Sequence, residues 1–144
     1  MKNTALRKFC VAPMMGYTTP HARKLYRILS KRAFLFTEMI PTNTMLYSKN
    51  KNLLIKNDNE NPVALQVGGA KFQDLAKCAK IAKAYNYDEI NLNVGCPSKA
   101  VQKGSFGACL MKKKNIVNDC LKAMLDNCNK EVTMKCRIGI DKQN

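Results

Sequence analysis

The chain has 144 residues, 46% of them hydrophobic, and its 25 basic against 10 acidic side chains give a formal charge of +15. That length buries one real core and is short for two domains. Seven cysteines with no Cys-x-x-Cys pair, beside a lone His21, exclude a disulfide framework and a zinc pattern. No run of about 18 apolar residues could span a bilayer, and the opening Met1-Lys-Asn-Thr-Ala-Leu-Arg-Lys has no apolar core for a leader. A soluble protein of a reducing, cytoplasmic compartment is expected, with no metal site and no membrane partner. The positive surplus favours phosphate backbones and makes nucleic acid the first partner to consider. However, 20 of the 25 basic residues are lysine and asparagine numbers 15, which A-rich codons also produce, so charge alone is supporting evidence only.

In chain order, apolar segments at 9–12, 35–39, 63–67, 89–94 and 132–137 read as strands. Between them lie helical patterns. One follows the start signal Thr19-Pro20 and carries Leu25, Tyr26 and Leu29; a second repeats Phe72, Leu75, Ala76, Ala79 and Ala82; a third has Ile116, Val117, Cys120, Leu121 and Met124. Residues 47–61, rich in Lys, Asn and Asp around Leu53, Leu54 and Ile55, read as a surface loop with a small strand or turn. Strand and helix in alternation imply a parallel sheet with right-handed crossovers.

Function in such a fold collects at the carboxyl ends of the strands. Those ends carry Pro13-Met14-Met15, Glu38, Gln66 to Gly69, Asn93 to Cys96, and Lys135 with Arg137. A closed (β/α)8 barrel takes about 250 residues, so this α/β chain is expected to supply the first five or so units of an incomplete TIM barrel. An open five-stranded sheet leaves two edges and an uncovered flank. A missing segment or a second chain is expected to complete it.

Cys96 leaves the strand of Ile90, Leu92 and Val94 between a glycine and a proline, a setting that presents a side chain. Such a cysteine can serve as nucleophile or proton donor, cations favouring the thiolate and apolar cover the thiol, and the residues leave that choice open. A small core cysteine is the bland alternative. Lys135 sits in a strand expected to be buried on both faces, where a cation needs an anionic partner such as a cofactor edge. Gln66, inside Val-Ala-Leu-Gln-Val, suits either local backbone groups or a heterocycle. Gly68-Gly69 could cradle phosphate, although a tight turn accounts for it. His21 reads as a first-turn helix residue. Cys10, Cys78, Cys120 and Cys128 fall in strand and helix patterns and read as core, and Cys109 as packed.

Ala12-Pro-Met-Met, Thr37-Glu-Met, Val63-Ala-Leu-Gln-Val-Gly-Gly, Asp88-Glu-Ile-Asn-Leu-Asn-Val-Gly-Cys-Pro-Ser and Lys135-Cys-Arg-Ile-Gly-Ile-Asp, in that order, resemble the flavin-dependent tRNA-dihydrouridine synthases. Phe106-Gly-Ala-Cys-Leu-Met makes the bacterial A subfamily the nearest likeness. The resemblance runs through nearly all of the chain and covers about the amino-terminal half of a family member. It implies an FMN-binding TIM barrel, residues 1–144 being its amino-terminal part, with the remaining strands and a carboxy-terminal helical tRNA-binding domain absent. It implies reduction of the C5=C6 bond of a D-loop uridine in tRNA, with NADPH as reductant. Hydride would come from the flavin N5 to C6, and a proton from Cys96 to C5.

Carried over by the same resemblance, Pro13, Met14 and Met15 line the flavin, and Gln66 bonds its pyrimidine end. Lys135 stabilises negative charge on its N1/O2 edge. Asn93 holds the target uracil, which must be turned out of the RNA, and Arg137 faces the RNA. Where relatives often carry Asp-Trp-Thr-Asp after the first strand, this chain has Gly16-Tyr17-Thr18-Thr19, a change expected to loosen the mouth of the site. Two other readings compete: a truncated, inactive basic tRNA- or RNA-binding protein, and another FMN barrel such as a dihydroorotate or dihydropyrimidine dehydrogenase.

Overall fold

The computed structural model describes residues 7–50 and 52–140. The segment 1–6, read above for a leader, and Asp141 of the last motif lie outside them. In chain order the elements are β1 (Cys10–Val11), α1 (Pro20–Leu29), β2 (Phe34–Phe36), β3 (Ile40–Pro41), α2 (Thr42–Tyr47), β4 (Val63–Gly68), α3 (Phe72–Ala84), β5 (Glu89–Val94), α4 (Lys99–Lys103), α5 (Lys114–Asn127) and β6 (Glu131–Cys136). The Thr19-Pro20 signal works as its chemistry predicts. Thr19 Oγ1 accepts from Ala22 N at 3.3 Å, and Pro20 occupies a first-turn position where it forfeits no helical bond.

All strand pairs are parallel, in the order β1-β2-β4-β5-β6, with β3 beside the end of β4. The result is an open half-barrel of alternating strands and helices, the expected incomplete TIM-barrel architecture. The register gives the sheet two chemically distinct faces. Leu65 and Val67 align with Ile90 and Leu92, and with Val63 and Val94 they join Leu75, Cys78 and Ala79 of α3 and Cys120 and Met124 of α5 in the core. Burial of each such large apolar side chain contributes about 1.5–3 kcal/mol. The opposite face carries Gln66 on β4, Glu89, Asn91 and Asn93 on β5, and Thr133 and Lys135 on β6.

Two expectations need correction. β6 is not buried on both faces: it ends the strand order, no described strand pairs its outer edge, and Met134 and Lys135 are exposed. Cys10 is likewise exposed, because β1 is the other edge. The polar segment 47–61 is tied down as a docked loop, with a short 3-10 turn at Asn52–Leu54 whose Leu54 is buried and whose carbonyl accepts from the Tyr87 hydroxyl at 3.0 Å. Its Glu60 forms a buried ion pair with Arg23 of α1. Sequence periodicity cannot register such a loop, since its anchors lie 33 and 37 residues away along the chain.

Candidate active site

At the carboxyl end of β5 the chain turns sharply, and Asn93 makes the turn. Its Oδ1 accepts from the backbone N–H groups of Gly95 at 3.2 Å and Cys96 at 3.0 Å, the Asx geometry that short amide side chains favour. Asn93 itself is 8% exposed, while Cys96 beyond it is half-buried, its Sγ 3.5 Å from Ser98 Oγ. Ser98 then caps α4 by accepting from Val101 N at 3.4 Å. A second segment holds the turn from outside. Ala108 N–H donates to the Cys96 carbonyl at 2.9 Å, and Gly107 lies so close that a Cβ there would sit 2.7 Å from that oxygen.

Gln66 is fully buried, and its amide is shared between neighbours: Nε2 donates to Asn91 Oδ1 at 2.7 Å, and Oε1 accepts from Asn93 Nδ2 at 2.9 Å. Each of these amide nitrogens retains a second N–H. Lys135 aligns with Asn93 across the sheet, and among the described residues its ammonium has no ion-pair partner. Arg137 Nε donates to the Gly95 carbonyl at 2.7 Å, so this exposed residue also braces the Cys96 turn. Beside the turn a cleft of about 360 Å³ has Lys112 and Arg137 in its walls.

The end of β1 contributes Pro13, half-buried, and Met14 and Met15, 40% and 61% exposed. The loop after them, expected to be loose, is pinned. Buried Thr18 exchanges bonds with Met14, Gly16 N–H donates to Glu38 Oε1 at 2.6 Å, and Arg23 Nη1 donates to the Thr18 carbonyl at 2.9 Å. Gly68-Gly69 serves close packing. A Cβ on Gly68 would meet Met39 Sδ at 2.5 Å and the Phe106 ring at 2.6 Å, and one on Gly69 would meet Thr42.

The fold thus brings Cys96, Asn93, Gln66, Lys135 and Arg137 to one end of β4, β5 and β6, with Pro13, Met14 and Met15 at the same end of β1 across the half-barrel. Sequence reading missed Asn91, Thr133 and Glu89, which share the polar face. The signal was present in 89–94, where Glu, Asn and Asn alternate with Ile, Leu and Val at the two-residue period of a strand. Burial raises the pKa of the Glu89 carboxyl, opposed by its bond from Thr133 and by the Arg7 guanidinium. Apolar surface, amide donors and a cation at one strand end are a donor set that fits a planar heterocycle with an anionic edge.

Residues 10–144 match the family model described as Dihydrouridine synthase (Dus). Over 136 residues, 94% of the chain, it is 49% identical to the tRNA-dihydrouridine(20/20a) synthase of Vibrio parahaemolyticus, covering 41% of that protein. Over the same length it is 51% identical to the protein of that name from Yersinia pestis and 52% identical to that of Escherichia coli K12, covering 39% of each. The chain therefore spans about two fifths of the length of the curated relatives it matches.

Proposed function

The chain belongs to the dihydrouridine synthase family, and from that premise we propose that its protein reduces uridine to 5,6-dihydrouridine in the D-loop of tRNA, at the positions 20 and 20a that its relatives' names carry. The observation that carries the reading is the convergence of Cys96, Asn93, Gln66 and Lys135 at one strand end in a chain about half identical to those enzymes. FMN, recharged by NADPH, would supply hydride to C6 of the uracil. Pro13, Met14 and Met15 give it apolar surface, Gln66 a buried amide, and Lys135 a cation for the charge that reduction places on its edge.

Cys96 holds the proton for C5. Its half-exposed turn lets the base in and lets the resulting thiolate recover a proton from water. Asn93, with one N–H spare, holds the uracil's polar edge. The base reaches them only when turned out of the RNA stack, and Arg137 and Lys112 beside the cleft suit the phosphates around it. The greater length of the relatives supports closure of the barrel by further strands, with a helical tRNA-binding domain, from outside these residues. A tRNA substrate makes the cytoplasm the expected compartment, and among the described residues no helix is long and apolar enough to cross a membrane.

Mass spectrometry of nucleosides from tRNA tests this. Deleting the gene should remove dihydrouridine from a subset of tRNAs, the native protein should restore it, and Cys96→Ala should restore about 10²–10⁴-fold less in rate. A native protein with Cys96 intact that makes no dihydrouridine in any tRNA would sink the proposal.

A further inference from the structure

The polar face of the sheet carries one continuous run of hydrogen bonds, and every donor in it points the same way. The Cys96 and Gly95 N–H groups donate to Asn93 Oδ1; Asn93 Nδ2 donates to Gln66 Oε1 at 2.9 Å; Gln66 Nε2 donates to Asn91 Oδ1 at 2.7 Å; Asn91 Nδ2 donates to Thr133 Oγ1 at 2.6 Å; and the Thr133 hydroxyl donates to Glu89 Oε1. The run starts at the Cys96 turn and ends on a carboxylate at the opposite end of β5, four residues and roughly 13 Å below Asn93. Glu89 Oε2 is buried and out of line for any hydrogen bond, but lies 2.7 Å from Arg7 Nη2, which also pairs with Glu131.

An amide can face either way; a carboxylate cannot. Ionised Glu89 only accepts, so Thr133 must spend its single proton on it and offer a lone pair to Asn91. Asn91 then presents its nitrogen to Thr133 and its oxygen to Gln66, and the same constraint passes to Gln66 and to Asn93. Only in that sense does Asn93 turn its oxygen toward the Gly95 and Cys96 N–H groups.

We infer that Glu89 is a positioning residue: through Thr133, Asn91 and Gln66 it fixes the amide orientation of Asn93 and thereby holds the Cys96 turn in shape. The catalytic consequence rests on the function proposed above; the structural consequence does not.

Glu89→Gln supplies the decisive change, because it keeps the shape while allowing reversal. Facing the Arg7 guanidinium, the new amide turns its oxygen to Arg7 and its nitrogen to Thr133, which frees the Thr133 proton for Asn91 and lets the run reverse. In the reversed run the Asn93 nitrogen faces the Cys96 N–H, and the turn loses its acceptor. Thr133→Val cuts the run one step from Glu89 without relying on Arg7. The measurement is the 1H–15N signal and hydrogen exchange of the Cys96 amide in the native protein. Both variants should shift that signal and speed its exchange about five- to tenfold, the loss of roughly one hydrogen bond. The Leu75 and Cys78 amides of α3, on the apolar side of the sheet, should keep their protection.

The double variant should do no more than either single one, since a broken run cannot be broken twice. Glu131→Gln, which leaves Glu89 in place, should leave the Cys96 amide unchanged. In tRNA reduction, kcat should fall while KM for tRNA holds. An unmoved Cys96 amide in both single variants, additive effects, or equal loss of protection in α3 would overturn the inference. A native protein without turnover but with the amide signature intact would instead remove the proposed function and leave the positioning role standing.

Discussion

Gly107 adopts φ +70°, and a Cβ there would lie 2.4 Å from Val101 Cγ1 and 2.7 Å from the Cys96 carbonyl oxygen. Alanine therefore meets both backbone strain and a backbone atom that cannot swing aside. Gly107→Ala is expected to cost about 1–3 kcal/mol in urea unfolding and to alter the rate at which iodoacetamide alkylates Cys96, because displacing that carbonyl moves the turn. Unchanged stability with unchanged alkylation would show that the clamp is dispensable. Tyr87 gives a pH prediction of definite sign. Burial pushes its phenol up to about 12, with Glu60 adding to the shift and Arg23 opposing it. Between the ordinary value near 10 and that value the folded chain holds a proton that the unfolded chain has lost. Stability should thus fall as pH rises through this window. Tyr87→Phe should flatten that slope in thermal melts, at the expense of the bond to the Leu54 carbonyl.

α1 is bolted to the 52–62 loop through arginine. Arg23 is 1% exposed, and its guanidinium reaches Glu60, the Thr18 carbonyl and the Ile55 carbonyl; Arg27 Nε and Nη2 reach the carbonyls of Glu60 and Pro62, each at 2.9 Å. Glu60 accepts in turn from Asn57 N and Nδ2. This network joins the helix to the 52–62 loop and, through Thr18, to the turn that carries Met14 and Met15. Removing one partner leaves a buried charge alone, so Arg23→Met is expected to destabilise by about 3–5 kcal/mol in urea, while Arg23→Met with Glu60→Leu recovers much of the loss. Equal instability of the single and double variants would mean that packing, not charge, dominates the site.

The molecule as a whole couples a +15 charge to an open sheet. If tRNA is the partner, binding should weaken steeply with salt, log K falling by about 0.7–0.9 per phosphate contact against log salt, and a filter-binding series would read the slope. A flat response would remove the role proposed for Lys112 and Arg137. The exposed edge at β6, with Met134 46% and Ile138 73% exposed, is the kind of surface that pairs with other chains. The 144 residues expressed alone are expected to self-associate in light scattering, and Met134→Lys should reduce it. Monomeric behaviour at high concentration would argue that the edge is protected in solution.

The five main strands and three longer helices were legible because hydrophobic period is local: the alternation at 63–67 and 89–94 and the three-four repeat at 72–82 each follow from neighbouring residues burying one side, whereas β3, α2 and α4 are too short to show a period and went unread. Cys96 was legible for the same reason, a strand ending between glycine and proline. The burial of Lys135 was misread, since a strand's composition does not say whether another strand lies beyond it; β6 turned out to be an edge. The docking of the 52–62 loop depended on arginines in α1, more than thirty residues away. The sequence by itself determined which side chains stand at the strand ends and what chemistry they carry. Only the tertiary structure decided that Gln66, Asn91, Asn93, Thr133 and Glu89 form one directed run, because hydrogen-bond direction is set by which groups the register places face to face, and no single strand contains that information.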